Sequence, residues 1–525
     1  MRTTTGTIII WLGLFAWAHA QAAGFSEVSV AAGVSTTHGL QFGPYGEPDM
    51  MCGGIGAGDV NADGRPDIVV LRGDLGAAKL YMNQGGGTFV DEAALRTFNL
   101  SSNLANGVLV ADVEGDGDLD IVVGGQYLAD AGHVSPPRLW RNNGAGVFGE
   151  DRGAFGDWDG NDTWSAALGD SDGDGDLDLV FGRWTRLSGP RVHLLRNNGT
   201  AQFSPADQAA GLTGQFSTPN DHSFTPSFAD INNDGRADLL VTGDFGSSRV
   251  FLQQPGGVFA NVTTPVISDE NGMGAAVADF DNDGDLDWFV SSIFDPGTPA
   301  GNWGTSGNRL YRNDGNGLFT DVTTQAGVRD GAWGWGSCFA DFDADGWLDL
   351  YMVNGMLGAT ASAFNADTAR LFMSNGNGTF TERAVAMGVA DSGQGRGIVC
   401  MDYDSDGAID IMVQNGYGAT RLYHNDIATG RNTVAVHLRA AAPNQFGIGA
   451  RIWLKSAGRE QMREMSAGNN FLSSNPPIAY FGLGAAARYE RIRVRWPDGK
   501  ESIVGYSAGL SRTIEADLLF VDGLE

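Results

Sequence analysis

The chain has 525 residues, 78 of them glycine; 42% are hydrophobic and only 18% charged, a balance that excludes a disordered chain and suits an extended core. With 33 basic against 63 acidic residues the formal charge is −30, and no lysine or arginine stripe offsets that field, so nucleic acid is not an expected partner. Three cysteines, Cys52, Cys338 and Cys400, are too few and too scattered for a disulfide framework.

Residues 1–20 read as a secretory signal peptide. Arg2 precedes an apolar stretch from Ile8 to Trp17, and Ala18-His19-Ala20 is a small-x-small cleavage site, so no transmembrane anchor is expected in the mature chain. Next comes FSEVSVAAGV at 25–34, which resembles FTDVTTQAGV at 319–328. This segment is expected to be an outer strand that completes the last repeat and closes a ring, removing an exposed edge.

From Asp59 onward one nonapeptide, D-x-[DNE]-x-D-G-x-x-D, occurs seven times, starting at Asp59, Asp112, Asp170, Asp230, Asp279, Asp341 and Asp402. The starts are 53, 58, 60, 49, 62 and 61 residues apart, a period that suits one four-stranded propeller blade with its loops. Positions 1, 3, 5, 7 and 9 supply oxygen ligands by side chain or, at position 7, by the backbone carbonyl. In the first three copies these are Asp59, Asn61, Asp63, Arg65 and Asp67; Asp112, Glu114, Asp116, Asp118 and Asp120; and Asp170, Asp172, Asp174, Asp176 and Asp178. The fourth and fifth give Asp230, Asn232, Asp234, Arg236 and Asp238, then Asp279, Asp281, Asp283, Asp285 and Asp287. The last two give Asp341, Asp343, Asp345, Trp347 and Asp349, then Asp402, Asp404, Asp406, Ala408 and Asp410.

This all-oxygen set, without thiolate or imidazole in the loops, points to Ca²⁺ at seven sites rather than zinc or copper. Glycine at position 6 allows the sharp turn, as Gly64 does in the first copy. An EF-hand is excluded because position 12 carries no Glu: it is Val70, Val123, Phe181, Val241, Val290, Met352 and Val413. The seven nonapeptides hold 29 of the 63 acidic residues, so much of the negative charge is metal ligand.

A second phrase reads strand, Asn/Gly turn, strand: LYMNQGGGTF at 80–89, LWRNNGAGVF at 139–148, LYRNDGNGLF at 310–319 and LFMSNGNGTF at 371–380. Weaker copies lie at 194–203 and 250–259, and the seventh stops at LYHND, 422–426. Cys338 and Cys400 precede their loops by three and two residues in neighbouring repeats, so a bridge is conceivable, but the pair is read as two buried free thiols.

The repeat ends after Asp426, and arginine and lysine become common. NQFGIGARI at 444–452, FGLG at 481–484 and VRWPDG at 494–499 resemble the signature of the ASPIC/UnbV domain, and the upstream copies resemble VCBS/FG-GAP repeats of cartilage-acidic-protein-like proteins. The Phe-Gly…Gly-Ala-Pro form is not intact; GIGAG at 54–58 is the nearest, so integrin-like specificity does not carry over. The expected fold is all-β: a signal peptide at 1–20, a seven-bladed propeller with calcium loops at 21–428, and a small β-rich domain at 429–525. Residues 21–426 are expected to fold without that tail unless it docks on an apolar propeller surface.

The resemblance implies an extracellular or periplasmic, calcium-binding, adhesion-like protein, with a protein or glycan ligand. Long insertions at 126–137, 150–163, 212–222, 293–308 and 354–368 share the face opposite the metal loops and are the expected binding surface. Trp158, Trp164, Trp303, Trp333 and Trp335 lie in or beside them, placed to stack on sugars or anchor a partner, or else to pack between blades. Catalytic signals are thin. His38, His133, His193, His222, His424 and His437 have no metal-type spacing, and no G-x-S-x-G elbow or Walker loop occurs. A binding or adhesion module is therefore preferred over an enzyme acting on carbohydrate or a secondary metabolite, and over a structural envelope component.

Overall fold

The computed structural model describes residues 24–38, 51–72, 78–100, 105–125, 127–128, 133–158, 160, 162–184, 191, 193–216, 221–297, 303–357, 362–428, 431–507 and 511–516. The expected signal peptide, residues 1–20, lies outside them. Each of the seven nonapeptides lies in its own four-stranded antiparallel sheet, and the first of these sheets gains a fifth, parallel strand, Ser473–Ser474, from the tail. In the first, Ile55–Gly58, Asp67–Val70, Lys79–Gly85 and Thr88–Asp91 run from the inside outward, with the acidic nonapeptide loop joining the first two strands. The innermost strands touch one another in chain order, and Ile55–Gly58 also touches Gly395–Met401 of the seventh sheet, so the sheets form a closed propeller ring.

Position 9 of every loop explains why the strand begins where it does. Asp287 is fully buried; its Oδ2 accepts the N–H of Phe280 at 3.1 Å and its Oδ1 that of Asn313 at 2.8 Å. One carboxylate thus ties the loop's start to the third strand of its own sheet, and Asp67 and Asp410 make the same pair of bonds. The asparagine in the second repeated phrase has a matching role. Asn142 Nδ2 donates to Val60 O in the preceding sheet at 2.7 Å, and Asn83 Nδ2 donates to Tyr403 O of the seventh sheet at 2.8 Å, latching the ring where it closes.

The N-terminal segment does complete the seventh sheet, with Phe25, Ser26 and Glu27 opposite Asn425, His424 and Tyr423. The strand is shorter than the ten-residue match implied. It ends at Glu27, and Ser29–Ala32 forms one helical turn stopped by Gly33 at φ 81°. The same strand and turn recur at Phe319–Asp321 with Thr323–Ala326, and at Phe380–Glu382 with Ala384–Met387, each ended by a left-handed glycine.

The expectation of two free thiols is corrected. Cys338 and Cys400 are disulfide-bonded, with Cα atoms 6.7 Å apart, because the innermost strands of the sixth and seventh sheets run side by side and carry both cysteines at the same height. Cys52 is buried and donates to Asn106 Oδ1. A thiol titration in denaturant is therefore expected to count one thiol before reduction and three after it. Crosslinking residues 62 positions apart contributes roughly 2–4 kcal/mol, so reduction should also lower the melting temperature; three thiols without reductant would remove the bridge.

The tail has a three-stranded sheet, ordered Ala479–Gly484, Asn432–Arg439, Ser511–Glu515, and a four-stranded sheet, ordered Arg459–Glu464, Arg451–Ser456, Tyr489–Arg495, Glu501–Ser507. It is not an appendage. Ile452, Phe481 and Trp496 share one apolar cluster with Leu109, Leu168 and Leu179 of the second and third sheets. Its loop 466–478 enters the ring: Ser473–Ser474 pairs in parallel with Ile55 and Gly56, and fully buried Phe471 meets Phe224 and Trp335 at ring-centroid distances of 5.6 and 5.1 Å. The tail thus docks on an apolar propeller surface, the one condition under which independent folding of 21–426 was not expected.

Candidate metal centres

Each loop folds around its first aspartate. In the fifth, Asp279 Oδ1 accepts the N–H of Asp283 at 3.0 Å and Oδ2 that of Gly284 at 3.2 Å; Asp59, Asp230 and Asp341 do the same at positions 5 and 6 of their loops. Gly284 sits at φ 94°, a conformation that a side chain would strain, which is why position 6 is glycine. Wrapping the turn this way leaves the position-3 and position-9 carboxylates facing inward.

Among the described residues, four of the seven loops gather three acids each. Carboxylate oxygens of Asp170, Asp172 and Asp178, of Asp279, Asp281 and Asp287, of Asp341, Asp343 and Asp349, and of Asp402, Asp404 and Asp406 lie within 4.8 Å of one another in each loop. Burial, reinforced by the neighbouring acids, pushes Asp281 up to about 6 and Asp341 to about 7, and holds Asp287 and Asp349 well above the carboxylate range. Asp172 Oδ1 and Asp281 Oδ1 are buried with no hydrogen-bond partner. Inward-facing oxygens, mutual repulsion and an orphaned acceptor together fit a hard divalent cation.

The other three loops do not gather three acids. In the first and fourth, position 3 is Asn61 or Asn232, and the position-7 arginine turns back on the position-5 acid: Arg65 pairs with Asp63 and Arg236 with Asp234. In the second, Glu114 is taken by Arg141. The seventh loop gains a residue that loop composition hides. His424, from the third strand, brings Nδ1 to 3.3 Å from Asp410 Oδ1 and 3.5 Å from Asp404 Oδ2, so an imidazole does stand at this centre although none is in the loop.

The tail covers this same face. Arg495 Nη2 meets Asp230 Oδ2 at 2.9 Å, Arg459 Nη1 donates to Asp345 O at 2.7 Å, Arg431 lies 3.3 Å from Asp343, and Gln445 Nε2 donates to Gly115 O at 2.8 Å. On the opposite face the tryptophans are mainly core. Trp164 and Trp335 are 1% exposed and Trp333 7%, with Trp164 Nε1 donating to Trp184 O and Trp335 Nε1 to Gly355 O; Trp158 and Trp303 are half-buried. Parts of the insertions, 126, 129–132, 159, 161, 217–220, 298–302 and 358–361, lie outside the described residues.

One histidine that spacing overlooked sits in a second cluster. His193 is buried, with Nε2 2.7 Å from Asp221 Oδ2 and Nδ1 3.3 Å from Asp207 Oδ2, and Ser223 Oγ 3.3 Å from Nε2. The set has the composition of a nucleophile and its base, but Ser223 Oγ donates to Asp221 and accepts the N–H of Arg183, and is 1% exposed, so it anchors strands. Burial alone lowers the imidazole, yet Asp221 and Asp207 outweigh it and raise it to about 9. A raised folded value means that stability from this pair is fully present below about 6.5 and is lost as pH climbs through about 9. The denaturant midpoint is expected to fall between pH 7 and 9.5, with a flatter profile in His193→Gln; identical profiles would remove the charged pair.

Residues 440–512 match the family described as ASPIC and UnbV, and residues 59–123, 184–241, 230–290 and 300–352 match FG-GAP-like repeats. The chain is thus a propeller of FG-GAP-like repeats that carries an ASPIC and UnbV segment at its C-terminal end. Among curated proteins it is similar to cartilage acidic protein 1: 26% identical over 293 residues in Mus musculus, covering 52% of this chain and 42% of that one, and 24% over 496 residues in Xenopus tropicalis, covering 76% and 71%. It therefore spans less than half the length of the mouse relative. Solved structures that resemble it loosely include rhamnogalacturonan lyase YesW (14% identity, TM-score 0.38, 75% of this chain and 76% of that one) and YCF48 from Cyanidioschyzon merolae (12%, 0.41, 74% and 98%). No helix among the described residues is long and apolar enough to cross a membrane.

Proposed function

We propose that this chain is an exported, calcium-loaded propeller that works as a binding module for an extracellular or periplasmic protein or glycan. The observation that carries the metal reading is Asp281 Oδ1, a buried carboxylate oxygen without a donor, set among Asp279 and Asp287. Such an atom is costly in water-free surroundings and is satisfied by a cation. Asp172 Oδ1 in the third loop is likewise buried without a donor, while Asp172 Oδ2 pairs with Arg196 at 3.0 Å. Calcium would be held by side-chain oxygens at positions 1, 3, 5 and 9 and by the position-7 carbonyl, neutralising the acids and stiffening the loops on which the tail rests. Export is supported by the apolar segment before Ala18-His19-Ala20 and by the Cys338–Cys400 bridge, which belongs in an oxidising compartment. The test is metal analysis of purified protein together with melting curves in calcium and in EGTA. Four or more bound calcium ions and a lower melting temperature after chelation are expected; a metal-free protein whose melting ignores EGTA would end the proposal.

A further inference from the structure

The docked tail and the propeller enclose a cleft of about 550 Å³ between the third and fourth metal loops and residues 440–444. That lies within the roughly 300–1,000 Å³ of small-molecule sites, which favour seams between domains. Phe228, Met465 and Trp496 give it apolar walls, Asp174 and Glu464 contribute carboxylates, and Arg495 a guanidinium.

The repeat breaks its own rule at this seam. In five sheets the third strand carries the latching asparagine, whose side-chain carbonyl accepts a nearby backbone N–H: Gly85 on Asn83, Gly146 on Asn142, Gly199 on Asn197, Gly315 on Asn313 and Ile427 on Asn425. In the sixth sheet the residue is Ser374, whose Oγ accepts the N–H of Gly376 at 3.2 Å, and in the fourth it is Gln253. One methylene longer, it still reaches the preceding sheet, with Nε2 3.4 Å from Asp170 O, but Oε1 has no partner although the residue is 2% exposed. Gln253 lines the cleft. A departure from a local pattern that leaves a buried acceptor unpaired calls for a reason, and a ligand in the cleft supplies one.

We propose that the cleft binds a neutral, hydroxyl-rich ligand with an apolar face, a mono- or disaccharide, and that Gln253 Oε1 accepts a hydrogen bond from one of its hydroxyls. The walls select this class. Arg236 is paired with Asp234 and Arg495 with Asp230, and Asp170 and Asp174 belong to the third loop's ligand set, so the wall charges are balanced and favour neither an anion nor an ammonium ion, while a purely apolar ligand would leave Gln253 dry. A sugar hydroxyl donates to a carbonyl or carboxylate and accepts from a guanidinium, while its C–H face lies against the apolar part of the lining. The proposal builds on the binding-module reading and gives that module a site and a ligand class.

The experiment is saturation-transfer NMR and calorimetry on the full chain in calcium, with the methyl glycosides of glucose, galactose, mannose, xylose and rhamnose, and with lactose, maltose and cellobiose as probes. At least one probe is expected to bind. Gln253→Asn, which installs the residue of the sister sheets, should weaken that binding at least tenfold while the melting temperature is retained or raised. Ala441→Trp, at an exposed position on the cleft wall, should abolish it. No binding by any probe, or binding that survives both substitutions, would overturn the cleft. Calcium content measured on the same samples separates the two proposals: a calcium-loaded chain that binds no probe removes only the cleft, and a metal-free chain that binds a probe through Gln253 removes only the calcium.

Discussion

Removing residues 427–525 is expected to leave no soluble, cooperatively unfolding propeller. The tail's loop supplies bonds to the innermost strands of four sheets: Val108 N–H to Leu472 O at 3.1 Å, Ile398 N–H to Ser473 Oγ at 3.1 Å, Ser337 N–H to Asn470 Oδ1 at 3.0 Å, and Leu168 N–H to Ala467 O at 2.8 Å. Its departure would also bare the apolar cluster around Leu109, Leu168 and Leu179. A few such losses reach the roughly 5–15 kcal/mol that holds a whole domain folded. Because a truncated chain can fail for several reasons, the point variant is the sharper test. Phe471→Ala empties a fully buried site against Phe224 and Trp335 and is expected to cost about 3–5 kcal/mol by chemical denaturation. A soluble propeller lacking 427–525 that melts like the full chain would show that the docked loop contributes little.

The second large effect separates metal ligand from fold anchor within one loop. Asp287→Ala removes the acceptor of two buried N–H groups, those of Phe280 and Asn313, and should cost about 2–5 kcal/mol whether or not calcium is present. Asp281→Asn is different in kind. Its Oδ1 has no protein donor to lose, and its charge adds to the repulsion that raises Asp279 and Asp287. With calcium it should weaken a ligand set and lower the melting temperature; in EGTA it should raise it, because one buried repulsive charge is gone. The reversal of sign is the readout. The same direction in both conditions would mean that Asp281 does not face a cation.

Much of this was legible in the chain because the signals are local. The seven loops need a glycine at position 6 and acids at fixed offsets, and Asp279 with Gly284 satisfies both within six residues. The strand, turn and strand of 310–319 and the match between 25–34 and 319–328 are equally short-range, so the ring and its closing strand could be anticipated. Even the error in strand length was small, since Gly33 marks where the helical turn after Glu27 ends.

The ligand sets were legible only in part. Composition treats Asp63 and Asp281 alike, but Arg65 folds back on Asp63 while Asp281 Oδ1 stays open, a difference of side-chain direction that spacing does not encode. His424 reaches the seventh loop from another strand, and Arg495 reaches Asp230 from 265 residues away.

What the sequence by itself determined was the repeat: its number, its phase and the acidic turn that each copy must make, because every one of those demands is met within a few residues of backbone. Only the tertiary structure decided which turns keep open acids, that Cys338 meets Cys400, that Asn83 latches the ring shut against Tyr403, and that Phe471 fills its centre. Those contacts join residues tens to hundreds of positions apart, and they exist only once packing has brought the sheets and the tail together.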